Sequence, residues 1–363
     1  MGKVPPFSEP RCIKLAITIN QIAEICGVSR GTVDRALHNK GNVRPAVAEQ
    51  IKKVAAEYGY TPNRAGMALS RAAHPIRLGI VLHSVQNSFV QALLEVCRRE
   101  AQQLSVFSTD VIFRLSRSLD PVEQVRMVDD LVENHKIDGL AIMPLNNYLV
   151  ENRLNDLAEK RKLPIITFNT DLPDSRRLCY VGQDSAAAGR TAAALMRLAT
   201  GGRGLVSPIV GPSENHSAYT NRLRGFQTEL CSQPSDIQYL VTRVANDDDD
   251  ECTYHATLQL LRTHPDIAGI YAITSGYEGA CRALIETGLA GKVHLILHDE
   301  IPSNLQYVRD GVIDFVLGQD AEVQGTLPMQ LLSDLIHMHR SPEKELYHTD
   351  IRILFRYNID NLL

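Results

Sequence analysis

Apolar side chains recur every three to four positions through residues 18–58. Ile22, Ala23, Ile25 and Cys26 make one stripe, and Val33, Ala36 and Leu37 a second. Val47, Ile51, Val54, Ala55 and Tyr58 make a third. That period predicts three short amphipathic helices closing one small core. Thr18 can cap the first, and Gln21, three residues on, can complete a capping box. Gly27 ends it, because glycine takes the left-handed conformation at low cost. Val28 fills the turn and Ser29 caps the second helix, while Pro45 suits the first turn of the third and Gly59 ends it. Arg30, Gly31, Thr32, Asp34 and Arg35 then fall near the outer face of the second helix.

From Arg77 the pattern changes to strands and helices in alternation. Strands are expected at 77–82, 109–115, 138–143, 164–168, 205–210, 237–243, 268–273, 293–297 and 313–317, with another over Tyr347 to Phe355. Helices are expected at 88–104, 121–135, 147–160, 184–199, 215–231, 250–263, 277–287, 301–310 and 320–338. Many strands are continuous apolar runs, as in Ile137-Asp138-Gly139-Leu140-Ala141-Ile142-Met143. Such runs mark a parallel sheet covered on both faces. A body of this size should divide into two α/β lobes. Ligands in such folds sit at the carboxyl ends of strands.

The fold class is therefore multi-domain: a small all-α helix-turn-helix domain and a two-lobed α/β parallel-sheet domain. The expected boundaries are a tail at 1–17, the helix-turn-helix domain at 18–61, a hinge and linker at 62–75 and the body at 76–363. The hinge, containing Gly66, is too short to be a stable helix alone in water.

Charge supports a division of labour. Residues 1–74 carry 11 Lys and Arg against 5 Asp and Glu, whereas the remainder carries 27 against 37. A basic head on an acidic body suits a head that meets phosphate. No apolar run approaches the length of a membrane span, and the first residues lack the apolar core of a signal peptide. A cytoplasmic protein is expected. The seven cysteines are scattered, with no Cys-x-x-Cys pair, which argues against a metal site or a disulfide framework. No cofactor is expected.

Residues 18–71 contain Thr-Ile-x-x-Ile-Ala, then Gly-Val-Ser-x-x-Thr-Val-x-Arg-Ala-Leu, then Gly-Tyr-x-Pro-Asn-Arg-x-Gly-x-x-Leu. In these motifs the chain resembles the LacI family of transcription regulators. The body is similar to the ribose-type periplasmic sugar-binding proteins, through shorter motifs. The resemblance implies a sequence-specific DNA-binding regulator, expected to be a repressor, that is controlled by a small sugar. It also implies a homodimer on near-palindromic operator DNA. No heptad helix follows the strand ending at Phe355, so a tail-built tetramer is not expected.

The same likeness places the second helix in the major groove, with Arg30 and Gly31 at the base-reading positions. Arg30 can fork onto a guanine, whereas Gly31 has no side chain to read with. Reading would lean on Arg30, Arg35 and DNA shape. Asp34 either accepts from a cytosine amino group or pairs with Arg30 or Arg35. Ser29, Thr32 and Asn63 would bond phosphates, which position without specifying, and Thr18 and Arg64 are further DNA-binding positions. Leu69 stands where the family's hinge helix wedges a leucine between base steps. An ordinary helical hairpin, with Leu69 packed on the body, is the plain alternative.

In the body, Asn87 and Phe89 follow the first strand in a segment similar to the Asn-Pro-Phe-Phe signature of sugar-binding relatives. Ser88 and Val90 replace its proline and second aromatic residue. Asn169 and Asp171 follow the fourth strand, with Asn169 where relatives hold a carboxylate. Arg222 matches the family's sugar-binding arginine, Tyr277 is a further contact, Asp299 matches the hydroxyl-binding aspartate and Gln319 the glutamine. An arginine fork suits two vicinal hydroxyls or an acidic group. Phe89 as plain core, and the others as loop polar groups, are the competing readings.

Two other functions compete with this reading. A stand-alone sugar receptor leaves the basic head unexplained. For an enzyme, no Gly-x-Gly-x-x-Gly after a strand, P-loop, Gly-x-Ser-x-Gly or His-Glu-x-x-His is present, and no catalytic residue is assigned.

Overall fold

The computed structural model describes residues 17–37, 43–58, 75–211, 215–232, 235–245, 249–360 and 362. Asn63, Arg64, Leu69 and Gly59 lie outside the described residues, as does most of the expected tail and hinge. Two compact units separate near residue 72.

In the first unit, α1 (Ile19–Cys26) leads through a turn to α2 (Arg30–Leu37), and α3 (Pro45–Glu57) follows. The capping box is formed: Gln21 N–H donates to Thr18 Oγ1 at 3.3 Å, and Thr18 N–H donates to Gln21 Oε1 at 2.9 Å. Gly27 closes α1 at φ 64°. Ser29 Oγ accepts from Thr32 N–H at 3.2 Å and so caps α2. Ile22, Ala23, Val33, Ala36, Ile51 and Ala55 are buried together as the core. Two residues expected in that core are not there. Ile25 is 49% exposed and Tyr58 54%. Each sits at the margin of its stripe, where a short helix turns the side chain past the contact with its neighbours.

The second unit has two lobes. The first begins with β1 (Ile76–Leu82), α4 (Ser88–Ser105), β2 (Thr109–Leu115), α5 (Pro121–Glu133) and β3 (Gly139–Ile142). It continues with α6 (Tyr148–Lys160), β4 (Ile165–Phe168) and β5 (Cys179–Gln183). The chain then crosses to the second lobe. There it forms α7 (Ser185–Thr200), β6 (Arg203–Val210), α8 (Ser217–Ser232), β7 (Asp236–Tyr239), β8 (Thr242–Arg243) and α9 (Asp250–Thr263). The same lobe adds β9 (Ile267–Ala272), α10 (Tyr277–Glu286), β10 (His294–His298), α11 (Pro302–Arg309) and β11 (Phe315–Gly318). It crosses back for α12 (Ala321–Met338) and β12 (Leu346–Thr349), and crosses again for β13 (Arg352–Leu354).

The first sheet runs β12-β5-β4-β3-β1-β2 and is parallel throughout. The second runs β13-β11-β10-β9-β6-β7, with β8 also on β6, and only β13 is antiparallel. The apolar runs have the expected cause. On β1, Leu78, Ile80 and Leu82 pack with Leu93 of α4 and Leu332 of α12, while Val81 faces Leu131 of α5 on the other side. Each such buried side chain stabilises the fold by about 1.5–3 kcal/mol.

Three strand expectations change. Cys179–Gln183 is a wholly buried strand that short length and flanking polar residues hid. The strand over 237–243 breaks at Leu240 and Val241. The one over Tyr347 to Phe355 breaks at Asp350 and Ile351, where the chain passes between sheets. The crossings are tied together: Gln183 Nε2 donates to the Gly318 carbonyl at 2.9 Å, and Thr349 Oγ1 to the Gln319 carbonyl at 3.0 Å.

Candidate functional site

Two surfaces carry chemistry. On the head, α2 presents Arg30, Gly31 and Arg35 as exposed residues, with Thr32 half-buried. Thr18 and Ser29 are exposed at the two helix starts. Ser29 Oγ and Thr32 Oγ1 are hydrogen-bonded at 2.9 Å, so the cap also orders the hydroxyl pair. A side chain at position 31 would meet only Ser29 Oγ, at 3.9 Å, so the gap beside Arg30 is open space. The Asp34 side chain lies outside the described residues.

The second surface is a small cavity between the lobes, of about 20 Å³. Ser84, Asn87, Phe89, Val90, Met143 and Asn169 line it from the first lobe. His216, Ala218, Tyr219, Arg222, Asp299 and Gln319 complete it. These residues sit at the carboxyl ends of strands or the starts of the helices that follow, where an open α/β sheet places its ligand. Ser84, Asn169 and Asp299 take the left-handed conformation, at φ 52°, 60° and 76°. That conformation turns the chain sharply at each strand end, and Asn and Asp tolerate it better than most residues.

Arg222 is seated by close helix packing. A Cβ on Gly189 of α7 would lie 2.0 Å from the Arg222 carbonyl oxygen of α8, and one on Gly225 would lie 2.1 Å from the Ala186 oxygen. Only glycine permits that approach. Arg222 is 2% exposed, and its Nε has no acceptor. The His216 ring stacks on Tyr219 at 3.8 Å, the His83 ring meets His216 edge-on at 5.4 Å, and Arg222 Cζ lies 5.9 Å from the Tyr219 ring centre. Burial holds His83 neutral, down to about 3. Burial, with help from His83 and Arg222, pushes His216 well below its usual range, and burial and Arg222 do the same to His298.

Asp299 is buried, which pushes its carboxyl up; the Arg222 charge and two hydrogen bonds oppose that rise. Those bonds come from Tyr277 Oη, at 2.6 Å to Oδ2, and from Gln319 Nε2 to Oδ1. Asn87 Oδ1 caps α4 by accepting from the Phe89 N–H at 2.8 Å, and Asn87 Nδ2 donates to Ser275 Oγ across the cleft. Phe89 lines the cavity and also packs in the first lobe's core.

The comparisons with known proteins follow this division. Residues 18–63 match the bacterial regulatory proteins of the lacI family, and residues 78–338 match the periplasmic binding protein domain family. The chain belongs to the LacI family of bacterial regulatory proteins. It is 27% identical over 262 residues to the HTH-type transcriptional regulator CelR of Thermobifida fusca, covering 70% of this chain and 73% of that one. It is 24% identical over 351 residues to the HTH-type transcriptional regulator AglR of Rhizobium meliloti (strain 1021), covering 93% of each. The body shares its fold with GanP, a glucose-galactose binding protein from Geobacillus stearothermophilus. The TM-score is 0.70 at 19% identity, over 79% of this chain and 99% of that chain.

This LacI-family protein is thus a DNA-binding transcriptional regulator whose body has the periplasmic-binding-protein fold. Among the described residues, no helix is long and apolar enough to cross a membrane, and no group of His, Cys, Asp and Glu is placed to hold a metal.

Of the cleft residues expected from the LacI-family likeness, Asn87, Phe89, Asn169, Arg222, Asp299 and Gln319 come together around the cavity. Asp171 and Tyr277 do not line it. The Asp171 carboxylate is held in the first lobe, accepting from Arg177 Nε at 2.6 Å, Arg177 Nη2 at 2.8 Å and Thr167 Oγ1 at 2.6 Å. Tyr277 touches the cavity only through Asp299. Ser84, Val90, Met143, His216, Ala218 and Tyr219 also line it and were not singled out. Helical spacing held part of the signal, since Ala218 and Tyr219 precede Arg222 by four and three residues and so share its face.

Proposed function

We propose that this regulator acts as a cytoplasmic, non-catalytic homodimeric repressor on a near-palindromic operator. Arg30 reads a base in the major groove, Arg35 assists, and Thr18, Ser29 and Thr32 meet the backbone. Asn63 and Arg64 add backbone contacts, and Leu69 wedges the minor groove. A polyhydroxylated, sugar-like effector enters between the lobes and is held by Arg222, Asp299, Gln319, Asn169 and Phe89, with Asn87 placing the start of α4. The observation that carries the reading is the convergence of Arg222, Asp299 and Gln319 on one cavity between lobes whose chain crossings are tied together.

The cavity, about 20 Å³, has room for about one water molecule, so the lobes must part to admit a sugar. Asn146 N–H donates to the Asn215 carbonyl across the cleft at 2.7 Å, and the Asn87 to Ser275 bond lies beside it in function. An effector that binds the two lobe arrangements unequally shifts their populations, and DNA affinity with them.

Fluorescence anisotropy on operator DNA tests both halves. Arg30→Ala should weaken specific binding by about 1–3 kcal/mol and relax sequence preference. A stabilising effector should lower operator affinity in the same assay. Operator affinity that ignores every ligand shown to bind would end the effector half of the proposal. Unchanged sequence preference in Arg30→Ala would end the reading role.

A further inference from the structure

We propose that Gln324, which lies outside the cavity, is a positioning residue that fixes the polarity of Asn169 inside it, so that Asn169 offers its side-chain oxygen to a hydroxyl of the ligand. This rests on the cleft reading above and adds to it how one wall of the cleft is set from behind.

Gln324 stands in the first turn of α12, where the chain has just crossed back from the second lobe, and it is fully buried. Its amide ties the ends of two strands, one from each lobe. Nε2 donates to the main-chain carbonyl of Gln319, which follows β11. Oε1 accepts from Nδ2 of Asn169, which follows β4, at 3.0 Å. Gln319 and Asn169 both line the cavity.

The orientation follows from chemistry. The two ends of a side-chain amide have nearly the same shape, but one donates and the other accepts. A peptide carbonyl only accepts, so the Gln319 oxygen draws Nε2 and turns Oε1 away. Oε1 also only accepts, so Asn169 has to meet it with Nδ2. Oδ1 of Asn169 is then the end left to accept from a ligand hydroxyl. The backbone of Asn169 is held separately. Its N–H donates to the Val181 carbonyl at 3.0 Å, and its carbonyl accepts from Tyr180 Oη at 2.9 Å. The main chain of residue 169 is thus pinned at φ 60°, and Gln324 decides which way the amide faces.

The anchor of this arrangement is firm. Thr349 Oγ1 gives the Gln319 carbonyl a second hydrogen bond, at 3.0 Å, so both of its lone pairs are engaged. The Gln319 side chain runs on to the cavity, donating from Nε2 to Asp299 Oδ1. Every donor in the series Asn169, Gln324, Gln319 therefore points toward the Asp299 carboxylate. Reversing one buried amide would set two acceptors face to face, at the full cost of unmade hydrogen bonds.

The test uses the full chain. Gln324→Glu keeps the shape and, while ionised, can only accept, so one of its oxygens faces the Gln319 carbonyl. Protonated, it again donates to that carbonyl and accepts from Asn169. The folded state therefore holds this carboxyl above the ordinary ~4.3 of glutamate. The variant's deficit is full at high pH and shrinks as the pH falls. At pH 7.5 it should melt about 2 °C or more below the parent, and at pH 5.0 less than half of that difference should remain. An equal deficit at both pH values, or none at either, overturns the orientation.

D-glucose, D-galactose, D-ribose, D-xylose and L-arabinose are the binding probes, screened by thermal shift and measured by calorimetry. Gln324→Met, close in shape but without either polar end, should weaken binding about 10-fold, the scale of one hydrogen bond. Gln324→Glu should bind as poorly at pH 7.5 and come within about 3-fold of the parent at pH 5.0, a rescue that a merely structural role would not produce. Unchanged affinity in Gln324→Met overturns the positioning role and leaves the cleft reading standing. No shift with any of these sugars overturns the cleft reading and the ligand half of this inference, and the pH profile of Gln324→Glu alone then decides the orientation.

Discussion

Arg177, with a covered side chain, and Arg222, buried as a whole residue, lie in two lobes of similar build and are treated in opposite ways. Arg177 forks onto Asp171, which also takes a bond from Thr167, and the three groups satisfy one another. Arg222 is pressed into the cleft by the glycine contacts of α7 and α8 and meets almost nothing. The paired arginine holds its loop together, whereas Arg222, outside ion-pair distance of any described carboxylate, lines the cavity beside Asp299. The contrast also explains why Asp171, which reads as a ligand contact in sequence, does not line the cavity: Arg177 holds its carboxylate.

The largest test of this contrast is Arg177→Met. It leaves Asp171 without its two-point partner and should cost roughly 3 kcal/mol, the low end for breaking a buried pair. Asp171 is 16% exposed, which keeps the cost from rising further. Thermal melting reads the loss, and effector affinity should change little. If Arg177→Met is harmless while Arg222→Met is ruinous, the two arginines have been assigned the wrong way round.

Gly189→Ala comes next. The added methyl would lie 2.0 Å from the Arg222 carbonyl oxygen, a backbone atom that cannot swing aside. Overpacking of this kind costs about 2 kcal/mol, and the shift of α8 should weaken effector binding as well. Calorimetry separates the two effects. Full affinity in the variant would show that the glycine contact does not place Arg222.

Arg222→Met should change stability less, by no more than about 1 kcal/mol, because relief of the cation's burial is offset by the loss of its attraction for Asp299. Effector control of DNA binding should be lost in the same protein.

A further effect is one of pH. His83, His216 and His298 are neutral in the folded body, with His83 pushed from 6.5 to about 3. In the unfolded chain they take up protons near pH 6.5. Below that pH the unfolded state binds more protons, so stability is complete above about pH 6.5 and falls as the pH drops toward 3. Each histidine contributes up to ~1.4 kcal/mol per pH unit in that window. Melting from pH 7.5 to 5.0 should show a shallower slope for His83→Asn than for the parent.

Much of this was legible beforehand where the signal is local. The capping box at Thr18 and Gln21, the left-handed Gly27 and the cap at Ser29 each depend on a few adjacent residues, and they formed as read. The apolar runs of β1, β3 and β4 announced sheets covered on both faces. What failed was marginal or distant. Ile25 and Tyr58 fit an apolar period but sit past the edge of the contact. Cys179–Gln183 is too short to declare itself a strand until β4 and β12 flank it.

By itself, then, the sequence determined the helix-turn-helix head, the basic and acidic halves, the alternation of strand and helix, and the family. These follow from spacing, and spacing is a property of neighbours along the chain. Tertiary structure alone decided where the chain changes lobes, which polar groups share the cavity, and which arginine is left unpaired. Those outcomes depend on which groups meet after long loops close. Tyr277 and Asp299, twenty-two residues apart, become one hydrogen-bonded unit, while Asp171 is taken by Arg177 only six residues away. The availability of a charged side chain for a ligand is therefore settled by its competitors in space.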